Sequence, residues 1–209
     1  NRPFERQGAF AELIKVPEHN IYEIPERLDI KEASVAEPTA VSLHAVLMAE
    51  KSSKKPLNGC KTLVQGAGAI GLLCSLILSK IKGIKDIVMS DPNNLRLNEC
   101  SKYFDAKFVK PNDKEIKNDS FDIVFDTVGL EITRQQAIST VKPGGTIIHI
   151  GLTQSSGQFN FRKATLQEVT FIGTYCYTNK DFENTIKILA DKQIGDLNWI
   201  EYRKLKKGA

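Results

Sequence analysis

The sequence predicts an α/β fold built on a doubly wound, parallel sheet of six strands with helices packed on both faces. Three observations predict it. From about residue 60 onward, short β-branched runs alternate with longer segments of helical period. Strands that alternate with helices must pair in parallel, because each crossover needs a helix to carry the chain back. A glycine-rich run, Gly66-Ala-Gly68-Ala-Ile-Gly71, falls where the first such strand hands over to the first such helix.

The elements follow in order. Lys61–Gln65 reads as a buried strand and Ala69–Lys80 as a largely buried helix. Asp86–Ser90 is the second strand. Asn94–Phe104 is a helix expected to turn Leu95, Leu97, Cys100 and Phe104 inward. Lys107–Val109 and Phe121–Asp126 are the third and fourth strands. Leu130–Val141 is helical, and Lys142-Pro-Gly-Gly145 stops it before a fifth strand, Thr146–Ile150. Val169–Gly173 is the sixth strand, expected at a sheet edge, and Asp181–Asp191 a further helix. The flanks differ. Residues 8–16 carry an isolated strand pattern, and residues 17–30, with Pro17 and Pro25, read as loop.

Composition narrows the function. The chain has 209 residues, 41% hydrophobic and 26% charged, which suits a globular protein with an ample core. Its formal net charge of +4 comes from scattered basic residues with short runs at Lys54-Lys55 and Lys204–Lys207. A nucleic-acid surface would gather them on one face with aromatics between, so no nucleic-acid partner is expected. Cys60, Cys74, Cys100 and Cys176 form no C-x-x-C pair, and they read as small buried hydrophobes of a reducing compartment. The longest apolar stretch, Ile70 to Leu78, is interrupted by Gly71 and Ser75 and falls short of the roughly 18 residues of a span. A cytoplasmic protein without a membrane partner is the expectation.

The glycine run carries the chemistry. Gly66 permits a tight turn, Gly68 lets backbone approach a pyrophosphate, and Gly71 brings helix close to strand. Free N–H groups at the helix start then receive the anion. Asp91 stands 20 residues past Gly71, at the end of the second strand. Its carboxylate can accept from both ribose hydroxyls and would repel a 2′-phosphate, so NAD is expected over NADP. Arg96, a helical turn on, is expected either at the adenosine edge or in a surface salt bridge. Ligands of such sheets bind at the carboxyl ends of strands, so the strand ends Asp126-Thr127-Val128-Gly129 and Ile150-Gly151-Leu152 should line the cleft. This is the pattern of a Rossmann-type nucleotide fold.

Taken together the residues resemble the medium-chain dehydrogenase/reductases, nearest the sorbitol and threonine dehydrogenase branch. The matching stretches are Gly8-Ala-Phe-Ala-Glu12, Ala36-Glu-Pro-Thr-Ala-Val41, Val64 to Gly71, and Asp91 through Arg96-Leu97. Further on come Phe121 to Gly129, Val141-Lys-Pro-Gly-Gly145 and Ile150-Gly-Leu152, all in family order to about residue 192. The resemblance implies two domains around a zinc-bearing cleft. Residues 1–45 would end the first segment of a GroES-like catalytic domain, 46–178 form the NAD-binding domain, and 179–209 begin the return. The family's early Cys, its His-Glu pair and its four-cysteine lobe have no counterpart, and the chain opens on Asn1. It is therefore expected to be a fragment, with zinc only in the full-length enzyme.

The same resemblance gives Glu37 a place in the zinc shell of the intact enzyme, and sets Val41 and Ile70, with Ala69 beside it, against the cofactor. Bland alternatives remain: helix capping for Glu37, core packing for Val41 and Ile70. His44 is expected to be a packed histidine. Asp105 departs from the glycine usual after the second helix. The implied activity is hydride transfer between a secondary alcohol or polyol and NAD, in a homodimer or homotetramer. Two alternatives stay open: a zinc-independent quinone-reductase-like oxidoreductase, and a non-catalytic NAD-binding module.

Overall fold

A computed structural model of the chain describes residues 11–201. The first residues of the 8–16 pattern and the run Lys204–Lys207 lie outside them. The elements are α1 (Ile30–Ala33), α2 (Ala36–Ser52), β1 (Lys61–Gln65), α3 (Ala69–Leu76), β2 (Asp86–Ser90), α4 (Asn94–Cys100) and β3 (Lys107–Val109). Then follow β4 (Phe121–Asp126), α5 (Glu131–Thr140), β5 (Val141–His149), α6 (Phe161–Leu166), β6 (Thr170–Gly173) and α7 (Asn179–Ala190). The strands form one sheet in the order β3-β2-β1-β4-β5-β6, and every neighbouring pair is parallel. The expected sheet is there, with β6 at an edge.

Alternation along each strand builds two cores. Val64, Met89, Phe125 and Ile148 face α2, α3, α4 and α7, while their neighbours Leu63, Val88, Val124 and Ile147 face α5. Fully buried side chains such as Leu73, Ile77, Phe121 and Phe125 each contribute roughly 1.5–3 kcal/mol of apolar burial. Leu28, Leu43, Ile186 and Leu197, from both flanks, join the first of these cores. The expected boundary between residues 45 and 46 falls inside α2.

Several expectations need correction. Residues 11–16 form no strand, and Leu13 is 92% exposed, because no partner strand lies beside them among the described residues. The helix that Glu37 was expected to cap begins before it, at Ala36, and α2 runs 17 residues. Its buried Ala, Ser and Thr positions show little contrast with its exposed face. α4 stops at Cys100, where the amides of Lys102 and Tyr103 donate to Glu99 and Cys100 carbonyls and tighten the chain into turns. Leu95 is 79% exposed, since two residues of helix turn it to the side opposite Leu97. Asp105 is not left-handed, so that turn is closed without the glycine conformation.

Lys142 to Gly145 ends α5 yet does not delay β5. Phe121 pairs with Val141 and Ile123 with Thr146, so Gly144, at φ +69°, sits in a bulge inside the strand. α6 was unforeseen: it is a short turn with no buried residue, capped by the Asn160 side chain accepting from Lys163 N. The helix predicted from Asp181 starts at Asn179, because Thr178 and Asp181 form a reciprocal capping box.

Candidate functional site

Strand order reverses between β1 and β4, the point at which sheets of this kind bind ligands beyond the carboxyl ends of their strands. The glycine run crosses that point. Gly66, at φ +99°, donates its amide to Ser90 O at 2.8 Å. A Cβ at Gly71 would stand 1.9 Å from the Gly66 carbonyl oxygen, so only glycine lets α3 leave β1 this closely. Gly68 is different: a Cβ there would meet nothing within 4 Å. It is the exposed N-cap of α3 and provides no side chain to satisfy the first-turn amides. Ala69 is exposed beside it and Ile70 is half-buried.

Asp91 lies against this turn. One carboxylate oxygen accepts from Ala67 N at 2.9 Å and the other from Asn93 N at 2.8 Å, with the residue 4% exposed. An ionised carboxylate has about four acceptor positions, so two remain for a ligand. Arg96 is exposed, with Nη1 3.9 Å from Asp91 Oδ2. The buried Cys100 thiol donates to Ala67 O at 3.7 Å, and burial followed by the nearby Asp91 charge pushes it up to about 11. Ala67 is thus held through both its amide and its carbonyl. Cys100 had been read only as core filling.

The opposite wall comes from β4 and β5. Thr127 donates both its amide and its hydroxyl to Gln65 O, at 3.1 and 2.7 Å. Val128 and Gly129 donate their amides to Asp126 Oδ1 at 3.0 and 2.8 Å. The Ile150 and Gly151 amides reach the Asp126 carbonyl at 2.9 and 3.1 Å. Gly129 and Gly151 make room for each other: a Cβ on either would come within about 2.2 Å of the other loop's backbone. Leu152 is 79% exposed at the rim.

Asp126 was expected at a strand end lining the cleft, but its pairing with His149 was not foreseen. They are register partners at the ends of β4 and β5, so their side chains share a face, with His149 Nδ1 3.1 Å from Asp126 Oδ2. An acid and a histidine closing two neighbouring strands were the signal available in the sequence. Asp126 is fully buried. Burial alone would raise its carboxyl, but hydrogen bonds from His149, Gly129, Val128 and Thr133 outweigh that and hold it below the usual range.

α2 closes the crevice behind α3. Val41 is half-buried on it, and Ser42 Oγ donates to Pro38 O at 2.9 Å and approaches Ile70 O at 3.5 Å. His44 pairs with Asp181 Oδ2 at 2.9 Å, a packing contact to α7 as expected. Glu37 is exposed in the first turn of α2. Burial, then the Glu37 carboxylate, pushes the Tyr177 phenol up. Among the described residues no group of three His, Cys, Asp or Glu could hold a metal ion, and these side chains do not fit a catalytic zinc, which wants about three protein ligands.

Comparison with known proteins agrees with this architecture. Residues 69–191 match the profile of the family described as zinc-binding dehydrogenase. A probable diacetyl reductase ((R)-acetoin forming) of Saccharomyces cerevisiae is 32% identical over 202 residues, covering 90% of this chain and 47% of that protein. D-xylulose reductase of the same yeast is 27% identical over 213 residues, covering 96% and 58%. The alcohol dehydrogenase TADH from Thermus sp. ATN1 shares the fold, with a TM-score of 0.78 at 21% identity over 90% of this chain and 56% of that one. The chain thus spans about half the length of the curated relatives it matches. With a profile match over more than half its residues, on a sheet whose order reverses at the glycine turn, the chain belongs to the zinc-binding dehydrogenases, the zinc type of medium-chain dehydrogenase/reductase.

Proposed function

We propose that this chain is the NAD-binding part of an alcohol or polyol dehydrogenase that moves hydride between a secondary alcohol and the nicotinamide. One observation carries the reading: the open backbone at Gly68 begins α3 while Asp91 stands 2.9 Å from Ala67 N. The diphosphate would lie on the first-turn amides of Gly68, Ala69, Ile70 and Gly71, where the helix dipole adds to the hydrogen bonds. Asp91 would accept from the adenosine ribose, and Arg96 would flank the adenine edge. The nicotinamide half would run along Thr127–Gly129 and Ile150–Leu152, with Val41 and Ile70 against it. When bound, NAD supplies the hydride acceptor.

Residues 46–178 serve in this reading as the nucleotide-binding unit, with residues 1–45 and 179–209 as parts of a second unit. The names of the relatives favour a small alcohol or polyol and its ketone as substrate. The zinc-shell role of Glu37 remains what the resemblance implies for the whole protein, and no step is routed through it. The free cysteines suit a reducing compartment, for which we take the cytoplasm, and no helix among the described residues is long and apolar enough to cross a membrane.

A dianionic 2′-phosphate brought to Asp91 meets a buried like charge, so the chain should bind NADH at least about tenfold more tightly than NADPH. Quenching of protein fluorescence by each nucleotide measures this, and equal affinities would remove Asp91 from its role. We also infer that the partner is a second copy of the chain, joined along β6. That edge carries Phe171 at 43% exposure, with Phe161 and Leu166 above 70% close by in sequence. Sedimentation should find a dimer or tetramer of the whole protein, and a strict monomer at micromolar concentration refutes the edge pairing.

A further inference from the structure

We propose that His149 is a positioning residue for the nicotinamide half of the cofactor, acting through Asp126; the proposal rests on the cofactor reading above. The Asp126 carboxylate divides its labour. Oδ1 accepts the Val128 and Gly129 amides at 3.0 and 2.8 Å, and Oδ2 faces His149 Nδ1 at 3.1 Å. Asp126 has no solvent exposure, whereas the His149 side chain is 19% exposed, so loss of the imidazole exchanges a fixed donor to Oδ2 for unanchored water. The carboxylate then rotates toward other donors, and the two loop amides that set the path of residues 127–129 lose their common acceptor.

The displacement would not stay local. Gly129 rests on Gly151 with no room for a side chain, so the 150–152 loop must follow. His149 also anchors the neighbouring strand end, since Thr174 N donates to its carbonyl at 2.9 Å and the Phe171 ring lies 5.5 Å from the imidazole. It therefore joins the ends of β4, β5 and β6. Asp91 ends β2, on the far side of β1. An effect that travels through His149 should thus touch the nicotinamide half and spare the adenosine half.

The test uses the full chain and two ligands, NADH and ADP, the second carrying only the adenosine diphosphate half. His149→Ala is expected to weaken NADH about tenfold and to leave ADP within about twofold. His149→Asn places an amide nitrogen near the position of Nδ1 and should restore most of the NADH affinity. His149→Gln, of similar polarity but longer reach, should behave like His149→Ala; the Asn and Gln pair carries the test if His149→Ala does not fold. Equal losses for NADH and ADP, or indistinguishable Asn and Gln variants, overturn the positioning role. Wild-type protein that binds neither ligand overturns the cofactor reading itself, and this role with it.

Discussion

Gly71→Ala is expected to lower the melting temperature by roughly 6–12 °C and to abolish measurable NADH binding. The added methyl would sit 1.9 Å from the Gly66 carbonyl oxygen, and that oxygen belongs to backbone already tied to Ser90. Relief requires α3 to move off β1, opening contacts made by Leu72, Leu73 and Leu76, all at or below 5% exposure. Overpacking of this kind costs about 3 kcal/mol, and each kcal/mol moves the midpoint of a chain this size by about 2–4 °C. Gly68→Ala is the control. Its methyl meets nothing within 4 Å and its φ of −82° suits any residue, so the melting temperature should hold. Affinity should nevertheless fall, because that methyl occupies the space through which a diphosphate would reach the amides. Calorimetry and nucleotide titration on both variants separate a glycine needed for packing from one needed for approach. If Gly68→Ala binds NADH as well as the parent chain, the diphosphate does not lie there.

Asp91→Ala should act on both stability and selectivity. The buried Ala67 amide loses its acceptor, at a cost of about 1–3 kcal/mol where water cannot replace it, while the part-buried Asn93 amide can turn to solvent at smaller cost. The ribose would lose a charged acceptor at the same time, so NADH affinity should fall by about ten- to a hundredfold. NADPH would lose the repulsion along with the turn's anchor, so the preference for NADH should shrink to near unity. Competitive titration of the two nucleotides reads this directly, and a preserved preference would assign discrimination to other residues.

Much of the sheet was legible because its signals are local. Lys61–Gln65, Asp86–Ser90, Lys107–Val109 and Phe121–Asp126 are short apolar runs bounded by breakers, and their limits in the structure are those expected. The glycine turn was legible from its place between strand and helix, where Gly66 takes φ +99° and Gly71 packs on the Gly66 carbonyl five residues back. Signals that depend on distant partners were weaker. Residues 11–16 have the composition of a strand but pair with no strand among the described residues. α2 hides its helical period because small residues bury on much of its surface. Lys142–Gly145 looked like a stop, and only pairing with β4 shows that it is a bulge. At the site, Asp91 and Arg96 could be named from spacing. The Asp126–His149 pair and the Cys100–Ala67 contact could not, because each joins residues that meet only after the crossovers form.

The mutual seating of Gly129 and Gly151 has a consequence for how the crevice can move. Two main chains in contact without intervening side chains have no rotamers to flip and no gap to compress. The β4 and β5 loops must therefore travel as one plate or stay still, and their amides present a stiff template to whatever enters. Any breathing that admits a ligand falls to the opposing α2 side, where half-buried Val41 and Ile70 leave side chains free to yield. A substitution that enlarges residue 129 or 151 finds no compensation at the other position, which has no side chain left to remove, and this makes the contact a slow point for change in the molecule.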